Sequence, residues 1–189
     1  LLDWETVQNG GHPAMAAQCC RYMFRSCEAL VKAPELTAMT LSEDCYMAKF
    51  ALSGITEPPE LPATTLATYC YNSMFSGCEA LKKAAAMPAT TLAPGCCITM
   101  YSDCTALEEL PVLPSEQLEP YCYMSMFQNC TQIKLSSAQT GSYTTQYRIP
   151  SGGNGTAATL ATYNMFSGTG GLVNGDPSGN NTVYTKNNK

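Results

Sequence analysis

Residues 70–95 read CYNSMFSGCEALKKAAAMPATTLAPG, and the next 26 residues, 96–121, repeat that order of residue types: CCITMYSDCTALEELPVLPSEQLEPY. A third stretch, CYMSMFQNCTQIKL, opens at Cys122. Two more lie upstream, CCRYMFRSCEALVKAPELTAMTLSED from Cys19 and CYMAKFALSGITEPPELPATTLATY from Cys45. The openers Cys19, Cys45, Cys70, Cys96 and Cys122 are therefore 25 or 26 residues apart. A degraded sixth copy, AATLATYNMF, spans Ala157–Phe166. A unit this short cannot bury an apolar face by itself, so a period held over five copies predicts a stack of units sharing one core.

The recurring columns name that core. Aromatic residues recur at Phe24, Phe75 and Phe127, and branched aliphatic ones at Leu30, Leu81 and Leu107. Cysteines recur at the openers, such as Cys70 and Cys96, and eight residues later at Cys78 and Cys104. Within Cys-Tyr-x-x-Met-Phe-x-x-Cys the apolar residues fall at i, i+1, i+4, i+5 and i+8, which reads as one face of a two-turn helix. The short Pro-bounded segment after the Leu column reads as a strand in a parallel ladder. Together these predict a right-handed repeat solenoid of leucine-rich-repeat type, with short parallel strands and short helices. It would hold about five 26-residue units, with a cap at each end. The expected divisions are an N-terminal cap over 1–18, the solenoid over 19–147, and a C-terminal cap with a polar tail over 148–189. Trp4, with Leu1, Leu2 and Val7, is expected to cover the first copy.

The pattern MFxxCxxLxxAPxLPATTLAxxCYxxMF resembles the BspA-like leucine-rich repeats of bacterial surface proteins, over residues 19–147. The tail, SSAQTGSYTTQYRIPSGGNGTAATLATYNMFSGTGG, resembles the closing segment of related gut-bacterial and phage-encoded repeat proteins. The resemblance implies a leucine-rich-repeat fold and surface exposure, and it carries no catalytic residues. The second copy departs from the pattern, with Lys49 in place of Met and Ser53 in place of Cys.

Composition narrows the function classes. Of the 189 residues 45% are hydrophobic, enough for a core, and only 13% are charged. The net charge of −5 and the absence of a basic patch speak against nucleic-acid binding. No apolar run approaches a membrane span, so membrane insertion is not expected. The chain opens on Leu1 rather than Met and without an apolar signal segment, as expected of a fragment or a processed chain.

Chemistry-bearing motifs are sparse, and no catalytic residue, metal site or cofactor is expected. All eleven cysteines sit in repeat columns and read as small buried thiols. The alternative bridges each opener to the Cys eight residues on and leaves Cys20, Cys45 and Cys97 over. There is no C-x-x-C, and the single His12 lies in a Gly-Gly-His-Pro turn. Glu108 and Glu109 are adjacent and point apart if extended, which does not suit a two-carboxylate glycosidase.

The informative charges are Lys32, Glu57, Lys83 and Glu109, whose sign alternates from copy to copy and favours neighbouring copies in register. With Tyr69 and Tyr121, expected to face outward, they form the candidate binding face. Tyr143, Tyr147, Tyr163 and Tyr184 in the tail form a further candidate patch. The expected role is a non-enzymatic, extracellular or bacterial cell-surface recognition and adhesion module. Its partner would be a host or neighbouring surface protein or a glycan. The alternative is a structural component of a surface filament or phage virion that self-associates through its caps or sides.

Overall fold

A computed structural model describes residues 15–135, 146–150, 160–175 and 182–186. The expected cap residues Trp4 and His12, and Tyr143 in the tail, lie outside them.

The expected solenoid of short helices and parallel strands is not what forms. Among the described residues only Leu160 and Ala161 are helical, at the edge of a described stretch. The named strands are three short ones, β1 (Tyr147–Ile149), β2 (Leu172–Gly175) and β3 (Thr182–Thr185). They make an open antiparallel sheet in the order β1-β3-β2, with Tyr147 opposite Tyr184 and Val173 opposite Tyr184. A leucine-rich-repeat description, and that of a solenoid, are therefore corrected to turn-rich copies followed by a small antiparallel sheet.

The reason lies in where alternate backbone N–H groups go. In the third copy Cys70, Asn72, Met74 and Ser76 donate to the carbonyl three residues back, each closing a turn. The residues between them, Tyr71, Ser73, Phe75 and Gly77, donate to Cys96, Ile98, Met100 and Ser102 of the next copy, at 2.8–2.9 Å. Every fourth residue takes a left-handed backbone: Tyr69, Ser73 and Gly77 here, then Gly95, Thr99 and Asp103, then Tyr121, Ser125 and Asn129. An α-helix needs right-handed dihedrals throughout and sends every N–H to the residue four back. A left-handed residue in each fourth position forbids that. Apolar residues at i, i+4 and i+8 suit this period of four as well as they suit a short helix.

The expected strands shrink for a second reason. Pro58, Pro59, Pro62, Pro88, Pro111 and Pro114 have no N–H to give a ladder. What remains are single parallel bridges, Lys32↔Glu57, Thr65↔Thr91 and Lys83↔Glu109.

Side chains of successive copies meet in rows. Phe50 lies between Phe24 and Phe75, with ring centroids 5.7 and 5.8 Å away. The row continues through Tyr101, Phe127 and Phe166, and ends on Tyr184 of β3, 3.9 Å from Phe166. Cys70, Cys78, Cys96, Cys104, Leu81 and Leu107 are fully buried, while Phe24 and Leu30 of the first copy are half-buried. The cysteines are free thiols. Those of the second column bond backward: Cys78, Cys104 and Cys130 donate S–H to the carbonyls of Phe50, Phe75 and Tyr101, each at 3.0 Å. The turn ladder reaches the degraded copy too, where Tyr123, Phe127 and Asn129 donate to Ala161, Met165 and Ser167.

Candidate functional site: a mixed-charge groove

The charge row lies along one side of the copies. Lys83 and Glu109, bridged through the backbone, also pair through their side chains at 3.3 Å. In the adjoining row Lys134 and Glu108 pair at 2.7 Å, and this bond from Lys134 holds the Glu108 carboxyl below its ordinary range. Lys32 and Glu57 are bridged through the backbone, with no ion pair between them.

Between the second and third copies the surface opens into a groove of about 780 Å³. One wall is Thr56–Pro62, with Glu57 and Glu60; the other carries Lys82 and Lys83. The floor is made by Ala84, Ala85 and Ala86. The sequence explains the opening. Where the third copy has Ala84-Ala85-Ala86, the fourth has Leu110-Pro111-Val112 and the second has Pro58-Pro59-Glu60. Side-chain volume is lower in the third copy than in the copies on either side of it, and the groove lies between the third copy and the second. Burying a backbone N–H under a floor of alanines requires a partner. Ala84 donates to the Glu109 carbonyl, and Ala85 donates to the Tyr101 hydroxyl at 2.9 Å. Tyr101 is a tyrosine in a row otherwise made of phenylalanines up to Phe166.

Not every expected site residue converges here. Glu57 and Lys83 line the groove, and Glu109 reaches it only through its pair with Lys83. Lys32 lies one copy away. Tyr69 and Tyr121 are elsewhere, in left-handed positions at the start of their copies. Tyr69 is half-buried, its ring lying against Gly95, where a Cβ would stand 2.2 Å from it. Tyr121 is exposed. The tail tyrosines form no common patch among the described residues. Tyr147 is buried and donates its hydroxyl to the Pro111 carbonyl, Tyr184 is buried against Phe166, and Tyr163 alone is exposed.

Sequence reasoning passed over Glu60 and the alanine floor, and left Lys82 outside the candidate binding face. The available signal was the drop in side-chain size at 84–86 when the copies are aligned. The groove juxtaposes two acids with two bases beside small apolar side chains, with no histidine, no cysteine and no aromatic ring among its described lining residues. Among the described residues no group of three or more His, Cys, Asp or Glu is placed to hold a metal ion. Nor is any helix among them long and apolar enough to cross a membrane. Comparison with protein-family models, curated proteins and solved structures finds no match for this chain.

Proposed function

We propose that this protein is a non-enzymatic recognition module that binds an extended polypeptide segment in the groove between the second and third copies. The observation that carries the reading is that Glu57 and Glu60 of the second copy share one groove lining with Lys82, Lys83 and three alanines of the third. A peptide lying along it meets both signs of charge, which sets its direction and register more than its affinity. A glycan is less well served, because sugar faces stack on aromatic rings and the described lining residues include none. The resemblance of the copy pattern to bacterial surface proteins supports a setting outside the cell.

The test is a binding array of extracellular proteins, mixed-charge peptides and glycans, probed with the wild-type chain, Ala86→Tyr and Lys82→Glu/Lys83→Glu. Ala86 is exposed on the floor, so a tyrosine there fills the groove without entering the core. A peptide or protein signal weakened at least about tenfold, or 1.4 kcal/mol, by both variants supports the reading. A silent array, or signals that neither variant moves, overturns it.

A second reading, self-association, is favoured by one observation. β2 is an edge strand of the sheet and exposes Leu172 and Val173. Edge strands with apolar side chains are templates for pairing with another chain. Light scattering that shows a concentration-dependent oligomer, abolished by Val173→Lys, would favour it.

A further inference from the structure

At the fifth position of each copy stands a methionine: Met23, Met74, Met100 and Met126, with Met165 in the degraded copy. The second copy alone has a lysine there, Lys49. It is only 3% exposed, as buried as most of the methionines it replaces. A buried cation is costly unless something compensates it. Lys49 has no carboxylate partner among the described residues. Its ammonium lies 3.5 Å from the Met23 sulfur, a weak acceptor. It also lies over the rings of Phe24, Tyr46 and Phe50, 5.2, 5.3 and 5.7 Å from their centroids. Rings offset part of a cation's lost hydration and leave its charge unneutralised.

This ammonium borders a cavity of about 640 Å³ between the first and second copies. The cavity is separate from the mixed-charge groove, with no described lining residue in common. Beyond Lys49 its walls are largely apolar, formed among others by Met15, Cys19, Phe24, Leu36 and Tyr46. An apolar concavity of this size with one fixed polar group is the usual form of a small-ligand site.

We infer that this cavity binds a straight-chain monocarboxylate, its carboxylate paired with Lys49 and its alkyl chain along the apolar walls. One cation calls for one negative charge; a phosphate dianion would bring a second that no other cation among the described lining residues answers. Among the described lining residues the other charged one is Glu35, which disfavours further anionic groups. Apolar walls beyond the head group select a chain over acetate.

The test is calorimetric titration of the full chain with octanoate, decanoate and dodecanoate, with 1-dodecanol as the uncharged control. The key variant is Lys49→Met, which restores the residue of the other copies and so is expected to fold. Its thermal midpoint checks that it does, and Lys49→Arg keeps the charge. The expected result is one saturable site, tighter with chain length. It should weaken at least about tenfold in Lys49→Met and for the alcohol, with Lys49→Arg in between. No saturable binding, equal affinity for acid and alcohol, or undiminished binding by folded Lys49→Met would each overturn the inference.

Discussion

The Tyr101 hydroxyl accepts the buried N–H of Ala85 at 2.9 Å, joining the aromatic row of the fourth copy to the groove floor of the third. The ring of Tyr101 stacks between Phe75 and Phe127 as a phenylalanine would, so the oxygen is the only atom that distinguishes its role. Tyr101→Phe keeps the stack and strands the Ala85 N–H. The expected cost is about 1–3 kcal/mol, the penalty of an unsatisfied buried donor. Urea denaturation should show a lower midpoint with an unchanged slope.

Gly95 is tied to Tyr69 in a similar way. It has a left-handed φ of 62°, and its missing side chain leaves the room that the Tyr69 ring occupies. Gly95→Ala should lose about 1–2 kcal/mol to backbone strain alone, and more to the collision. The same substitution in a Tyr69→Ala background should cost measurably less. Additive losses in that double-mutant cycle would mean that the ring is not the obstacle.

Leu81 is fully buried between the copies. Leu81→Ala should destabilise by about 2–5 kcal/mol, the usual cost of a core leucine. A loss below about half a kcal/mol would place this column outside the core.

Glu109→Lys sets like charges beside Lys83. Both side chains of the present pair are more than half exposed, at 60% and 69%, so solvent screens the pair. The expected change in stability is about 0–1 kcal/mol, shrinking with added salt. Unfolding by this variant would show the pair to be shielded from water.

The buried thiols predict an alkaline limit to stability. Burial pushes Cys45 up to about 11, and Cys122 and Cys130 to about 12, from the ordinary 9.0. These groups are neutral in the folded chain and ionise more readily once unfolded. Their contribution is complete below about pH 9, falls as pH rises above it, and is gone past pH 12. Denaturation midpoints measured from pH 7 to 11 should hold at first and drop above 9. Alkylation at pH 8 should modify the exposed Cys27 well before these three.

How much of this was legible without coordinates differs by residue. The openers from Cys19 to Cys122, the Phe and Leu columns and the alternation of Lys83 with Glu109 are all visible in the one-dimensional order. Lys49 was visible too, as a break in a methionine column. The backbone was not. Over eight residues a four-residue period and a helical period of 3.6 select nearly the same side chains. Hints lay in the residues that tolerate a left-handed backbone, Gly77, Gly95, Asp103 and Asn129, each in a slot of that period.

By itself, then, the sequence determined the length of the copy, the side chains that recur in it and the places where one copy departs from the rest. Those are properties of order along the chain. Tertiary structure alone decided that alternate N–H groups bond across copies rather than within a helix. It also decided that three alanines become the floor of a groove, and that Tyr69 and Tyr121 stand apart from Glu57 and Lys83. The reason is that each depends on which neighbour supplies the missing partner. A hydrogen-bond acceptor or a wall is a fact about proximity in space, and residue order constrains it without naming it.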